Sequence, residues 1–393
     1  MTNRPLALAA ALVLLGTSVA DARSPVAIGT LPSGPVDGIT DVPGVRIAQL
    51  TKIEGDGPLV PGTGPVRTGA TAILPDADPW TARPAAGFFM LNGNGEMTGT
   101  HWIDEAGFLS SPIVLTDTLD VGRADDGVIA WMIAKHPAIG VRDDVPLPVV
   151  AECDDGALND IQGRHVTAAD VSALLDAAKP GDFARGSAGA GTGMIAYGFK
   201  GGIGSASRVL PAAAGGYTVG VLVNDNTGSA PRASLMIDGV HVGRAFTGKL
   251  LPVFPRRAGM MPTHGRAADG SIIIIIATDA PLDSLKLREL AKRATIGLGR
   301  TGSTSKTSSG DLFLAFSTTH TFDGDGTIGG KPLETDEDRI DLLYQAVVDA
   351  TESAIDDALF SARTMTGRDG ITVYGLPYDQ VRPLLAAAAH PAK

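Results

Sequence analysis

Residues 272–276 are five consecutive isoleucines, and they directly follow Asp269-Gly270-Ser271. The run is far shorter than the about 20 residues that a bilayer-spanning helix needs, and polar residues bound it on both sides. It is therefore expected to be a buried strand. The segment before it, Lys249 to Gly270, carries Pro252, Pro255 and Pro262, Gly259 and Gly265, and Arg256, Arg257 and Arg266. That composition suits an exposed irregular loop. Ser271 thus stands where an irregular loop meets a rigid strand.

Further short apolar stretches at Gly44–Leu50, Ala70–Leu74, Val145–Ala151 and Thr218–Asn224 read as strands. Helical patterns lie between them. Thr167–Ala178 places Val171, Leu174 and Leu175 on one side and stops at Pro180, and Asp283 can cap a helix running to about Ile296. The clearest helix opens with the box Thr335-x-x-Asp338 and carries Ile340, Tyr344, Val347, Val348, Thr351, Ile355 and Leu359 at helical spacing. Its charged residues Asp341, Asp349, Glu352, Asp356 and Asp357 are expected to form a solvated face. With 44% hydrophobic residues, interleaved elements and no composition break, the chain reads as one α/β domain.

Several function classes drop out. The net charge of −11 argues against a nucleic-acid binder, which needs a basic face. The one cysteine, Cys153, permits no intramolecular disulfide and no cysteine zinc site; flanking carboxylates should raise its pKa, so it reads as structural. The seven histidines form no i, i+4 pair or HExxH pattern, against a zinc peptidase. Gly297-Leu-Gly-Arg-Thr-Gly302 spells a dinucleotide fingerprint, but a helix-like segment precedes it where a strand is required. No Gly-x-Ser-x-Gly elbow occurs. No metal or cofactor is expected. At the start, Met1 to Arg4, the apolar run Pro5–Leu15 and Ala20-Asp-Ala22 have the order of a secretory signal cleaved after Ala22. A periplasmic or secreted protein without a membrane anchor is expected.

The Gly270–Ser271 junction suits self-cleavage. Attack of the Ser271 hydroxyl on the Gly270 carbonyl, followed by hydrolysis of the ester, would leave Ser271 with a free α-amine beside its own hydroxyl. An α-amine titrates at about 7.7–8.0, so it can accept the hydroxyl proton without a histidine. One residue then holds both nucleophile and base.

Other motifs extend along the chain: Asn92-Gly-Asn-Gly-Glu-Met-Thr-Gly99 with His101-Trp102, Glu152 to Asp160, Gly189-Ala-Gly-Thr-Gly-Met194, and Tyr197-Gly-Phe-Lys-Gly-Gly202. They continue with Val221-Leu-Val-Asn-Asp-Asn226, Ala277-Thr-Asp-Ala-Pro281, Arg300-Thr-Gly-Ser303 and Ser308-Ser-Gly-Asp311. Together with Gly270-Ser271 they resemble the DmpA family of N-terminal-nucleophile aminopeptidases, also called P1 or S58, which includes the β-aminopeptidases. The resemblance spans nearly the whole mature chain. It implies an αββα sandwich shared with the ornithine acetyltransferases, a single intertwined domain of two autoprocessed chains (23–270 and 271–393) after a signal at 1–22, and a homo-oligomer of such units.

By the same resemblance Ser271 is the nucleophile and Gly270–Ser271 the processing bond. Ser309 and Asp311 match the second serine and the acidic member of the family's triad, Asn226 the oxyanion donor, and Glu152 the carboxylate that receives the substrate's amine. The implied substrates are peptides, amides or esters with small N-terminal residues, including β-amino acids and D-residues. The chain departs from the family at Ala157, where an aromatic is common, and at Asp117 and Asp120 in Leu115–Gly122, where a more neutral run is expected; acyl-side specificity can differ there. Two other readings stand beside this one. An acyltransferase of the ornithine acetyltransferase type would replace water by a bound amine, against which count the export signal and a serine in place of threonine. A non-catalytic periplasmic binding protein would keep one intact chain and tolerate Ser271→Ala.

Overall fold

The computed structural model describes residues 24–75, 78–228, 230–252, 270–322, 328–329, 333 and 337–389. The leader, residues 253–269 of the loop before Ser271, and Thr335 of the helix-opening box lie outside them. Along the chain, β1 (Arg46–Glu54) and β2 (Val66–Leu74) precede the short helix α1 (Pro79–Ala82), β3 (Pro84–Gly93), α2 (Thr100–Ala106) and β4 (Ile113–Thr116). Next come α3 (Val121–Lys135), β5 (Val149–Glu152), α4 (Ala168–Asp176) and the two-residue strands β6 (Ile195–Ala196) and β7 (Phe199–Lys200). The chain continues through β8 (Gly202–Val209), β9 (Thr218–Asn226), β10 (Ser271–Thr278), α5 (Ser284–Arg300), β11 (Gly310–Phe322), β12 (Ile328–Gly329), α6 (Glu337–Ser361) and α7 (Tyr378–Ala389).

One sheet has the order β1-β2-β4-β5; the other runs β12-β11-β10-β9-β8, with β3 also paired to β11. The five isoleucines of β10 are wholly buried because both faces of that strand are covered. Ile273 and Ile275 point into the space between the sheets, with Leu222, Leu312, Ile73 and Leu115. Ile272, Ile274 and Ile276 point outward onto Leu287 and Leu290 of α5 and Leu343, Val347 and Ile355 of α6. On the far side, Ala72, Val114 and Val150 of the smaller sheet meet Val128 and Trp131 of α3 and Val171 and Leu174 of α4. The layers are therefore helix, sheet, sheet, helix. Each buried isoleucine contributes about 1.5–3 kcal/mol, so β10 anchors the large sheet.

Register places chemistry at one edge. Ser271 lies opposite Asn226 of antiparallel β9 and opposite Gly310 of parallel β11. Gly310 in turn faces Gly93 at the end of β3. In the other sheet β5 ends at Glu152, opposite Thr116 of β4.

Local expectations are met at α4, where Thr167 and Asp170 form a capping box, and at α5, where the Asp283 side chain accepts the Lys286 N–H. The glycines at 297–302 fall on the last turn of α5 and the turn after it, so their spelling marks no strand-to-helix loop. The strand expected over 145–151 begins only at Val149, since Pro146 and Pro148 lack the N–H a ladder needs. Among the described residues no helix is long and apolar enough to cross a membrane.

The acidic face of α6 corrects the expectation of a solvated surface. Asp341 is exposed, but Asp349, Glu352, Asp356 and Asp357 are buried. Three of them have partners. Asp349 accepts from Arg300 and Gln345, Glu352 from Arg300, and Asp357 from Arg185 and the Ser205 N–H. Helical periodicity does not reveal that α6 is enclosed on nearly every side over its second half.

Asp356 has no hydrogen-bond partner for either oxygen among the described residues. Burial holds its pKa well above the usual carboxylate range, and Glu352, Asp238 and Asp225 add to the rise. A raised folded-state pKa means that the native protein keeps a proton the unfolded chain has lost, so stability falls as pH rises above the ordinary carboxylate range. Asp356→Asn mimics the neutral acid. In thermal melts the variant should match the parent at acid pH and exceed it by about 1–3 kcal/mol at pH 8. Equal melting at both pH values would show that Asp356 titrates normally.

Candidate active site

Ser271 is the first residue of β10, and its side chain lies on the inter-sheet face together with Asn226, the last residue of β9. Asn226 is fixed from three directions. Its Oδ1 accepts the Ile195 N–H at 2.8 Å, and its Nδ2 donates to the Asp154 carbonyl at 2.9 Å and to Ser271 Oγ at 3.4 Å. Because the Ile195 donor must face an oxygen, the amide can be oriented only one way. Nδ2 is thereby aimed at the serine.

The Gly270 carbonyl accepts the Gly310 N–H at 3.3 Å. Ser309 and Asp311 flank Gly310 at the start of β11, and Ser309 Oγ donates to Asp311 Oδ1 at 2.6 Å. Asn92 Nδ2 donates to Asp311 Oδ2 at 3.1 Å and to the Ser305 carbonyl at 2.8 Å. Burial pushes the Asp311 carboxyl up, while Ser309, Ser305 and Asn92 oppose the rise. Thr227, Ala230, Ser303–Lys306 and Ser309 line a polar cleft beside this pair.

Glycine lets the neighbouring loop close. A Cβ on Gly310 would stand 2.4 Å from the Asn94 carbonyl. At Gly95 the Cβ position is 3.3 Å from both Gly310 Cα and Glu152 Oε1, so Glu152 lies one small residue away from the head of β11. Glu152 Oε1 accepts the Glu96 N–H at 2.9 Å, and Oε2 accepts from Thr118 Oγ1. Burial raises the Glu152 pKa; Thr118 and Glu96 work against it. The loop 92–99 brings a backbone donor, Glu96 N–H, to Glu152.

The structure thus brings Ser271, Asn226, Ser309, Asp311, Gly270 and Glu152 to adjoining strand ends. Sequence reading passed over Thr118, which sits between the two unexpected aspartates. Those aspartates are buried within the fold: Asp117 Oδ1 accepts the Leu119 and Asp120 N–H groups, and Asp120 Oδ2 accepts the Val166 N–H. Ala157 packs against the satellite cluster of Leu158, Ile195, Ile371 and Val373. Cys153 is buried beside Asn224, and its thiol is pushed well up, by burial first and by Glu152 second.

Solved structures share this architecture. The L-aminopeptidase D-Ala-esterase/amidase of Ochrobactrum anthropi, a prototype for the serine aminopeptidases and a variant of the Ntn hydrolase fold, aligns at TM-score 0.80 and 38% identity, covering 93% of this chain and 98% of that one. A Burkholderia sp. β-aminopeptidase aligns at TM-score 0.78 and 39% identity over the same shares. The sequence profile of peptidase family S58 matches residues 37–373, and the chain belongs to that family. It is a hydrolase. The β-peptidyl aminopeptidase BapA of Sphingosinicella xenopeptidilytica is 43% identical over 364 residues, 90% of this chain and 88% of that protein.

Burial and a raised pKa make Cys153 a poor nucleophile although it adjoins the site. Native protein at pH 8 should leave Ellman's reagent unreacted over minutes, with one thiol appearing in guanidinium; fast native labelling would contradict the enclosed position.

Proposed function

We propose that this chain is an exported serine aminopeptidase that processes itself at Gly270–Ser271 and then removes small N-terminal residues, β-amino acids and D-residues among them, from peptides, amides or esters. The relatives supply the substrate class: a β-peptidyl aminopeptidase, a β-aminopeptidase, and an L-aminopeptidase with D-Ala esterase and amidase action. The observation that carries the reading is the pair of contacts at the head of β10. Gly310 N–H holds the Gly270 carbonyl while Asn226 Nδ2 stands 3.4 Å from Ser271 Oγ.

In processing, Ser271 Oγ bonds to the Gly270 carbonyl carbon, the Gly270–Ser271 C–N bond breaks, and the hydroxyl proton passes to the departing nitrogen. Water then cleaves the ester, leaving a Gly270 carboxylate and a free α-amine and hydroxyl on Ser271. In each turnover that amine takes the hydroxyl proton as Oγ attacks the substrate carbonyl. Ser309 relays or orients the proton, and the Asp311 carboxylate favours the ammonium that forms. Asn226 and backbone amides hold the oxyanion, the amine product leaves, and water releases the acyl group from Ser271. Glu152 pairs with the substrate's N-terminal ammonium, its carboxylate steadied by Glu96 N–H and Thr118. The leader at 1–22 directs the chain to the periplasm or medium, and units of chains 23–270 and 271–393 assemble as a homo-oligomer.

On a denaturing gel the purified protein should run as two fragments, the smaller beginning Ser-Ile-Ile, and Ser271→Ala should stay whole and inactive. An intact, fully active chain would remove the mechanism, as would unchanged turnover after acetylation of the new terminus. Asn226→Ala in processed enzyme should lower kcat by about 10²–10³.

Glu152 must be ionised to hold an ammonium, and its raised pKa means that it takes up a proton at a pH where an ordinary glutamate is still charged. KM for free-amine substrates should therefore climb as pH falls through that raised pKa. Glu152→Gln should raise KM at neutral pH by roughly 10–100-fold and flatten the acid limb. A limb that persists in the variant would assign it elsewhere.

A further inference from the structure

Lys200 ends the strand β7 and is completely enclosed. Its Nζ donates to three backbone carbonyls, Gly191 at 3.0 Å, Met194 at 2.9 Å and Gly201 at 2.9 Å. All three belong to the loop and hairpin at 191–201. An ammonium has three donors and no acceptor, so this cage uses its full capacity. Burial pushes the Lys200 pKa down to about 7, and the charges of Asp155 and Asp225 oppose the fall. A buried cation is costly, and here the cost is offset by three carbonyls that need donors.

The adjoining peptide unit gives the cation a task. The Met194 carbonyl and the Ile195 N–H belong to one planar group, and planarity fixes the direction of one once the other is held. Lys200 Nζ holds the carbonyl together with the Gly201 N–H, which donates to the same oxygen at 3.0 Å, and the Ile195 N–H donates to Asn226 Oδ1 at 2.8 Å. That second bond is what turns Asn226 Nδ2 toward Ser271 Oγ.

We propose that Lys200 is a positioning residue for the reaction: by clamping the Met194–Ile195 peptide plane it locks the Asn226 amide with its NH₂ group facing the nucleophile. The inference rests on the oxyanion role given to Asn226 above. Lys200 touches neither substrate nor nucleophile, and its whole effect passes through Asn226.

A double-mutant cycle on processed enzyme tests this, reading kcat and KM separately for a small aminoacyl amide. Lys200→Met should lower kcat by roughly 10–100-fold with KM changed less than about threefold, and Lys200→Met in an Asn226→Ala background should cost less than about threefold more. Multiplying losses in the double variant would overturn the proposal, because Lys200 would then act independently of Asn226. Full turnover in Asn226→Ala alone would instead refute the oxyanion role and remove the basis for the clamp. Should Lys200→Met yield no folded protein, Lys200→Arg is carried through the same cycle. Its planar fork keeps charge and donors but does not match three carbonyls set around a point charge. The same loss of kcat, again absent without Asn226, is expected. Failure of both variants to fold would make Lys200 a folding residue and sink the assignment.

Discussion

The structure depends on the burial of one strand from both sides. Isoleucines 272–276 alternate between the inter-sheet core and the core under α5 and α6, so any slip of β10 by one residue would exchange the two sets. Because the register cannot drift, Ser271 is carried to a fixed point opposite Asn226 and Gly310. The polar groups of the site are thus positioned by apolar packing several residues away. Each reactive side chain sits at or beside a strand end, where backbone geometry is set by the adjoining ladder.

The interior holds many titratable groups. Asp117, Asp155, Asp225, Asp356, Glu152 and Lys200 are buried, and burial moves each toward its neutral form. Most have at least one hydrogen-bond donor or acceptor from backbone or a small side chain. Such groups cost stability when unpartnered and give rigidity when engaged. Lys200 and Asn226 show the second outcome, joined through a single peptide group that can turn only as a unit.

Much of this was legible in the sequence. The isoleucine run reads as a buried strand from its shortness, its β-branched residues and its polar flanks, and the Thr167 and Asp283 caps mark helix starts by local chemistry. Motif resemblance rather than spacing marks the site residues, since Glu152, Asn226, Ser271 and Ser309 are far apart in the chain; pairing in the large sheet joins Asn226, Ser271 and the head of β11, and packing of the second sheet brings Glu152 to them. What could not be read is enclosure. The carboxylates of α6 have the spacing of a wet face, yet Arg185, Arg300 and the β8 backbone come from elsewhere to cover them. Strands 84–93 and 310–322 carry glycine, asparagine or aspartate at the end that builds the site, which blurs their alternation. Thr118 was hidden because a lone threonine carries no pattern.

The strand order has one more implication. In the large sheet, β10 and β11 lie between β9 on one side and β3 on the other, so segments from after residue 270 are flanked by segments from before it. A backbone severed at Gly270 would leave those lateral ladders untouched. The halves would remain interlocked like fingers of two hands, and separating them would demand tearing open the sheet rather than undocking a surface.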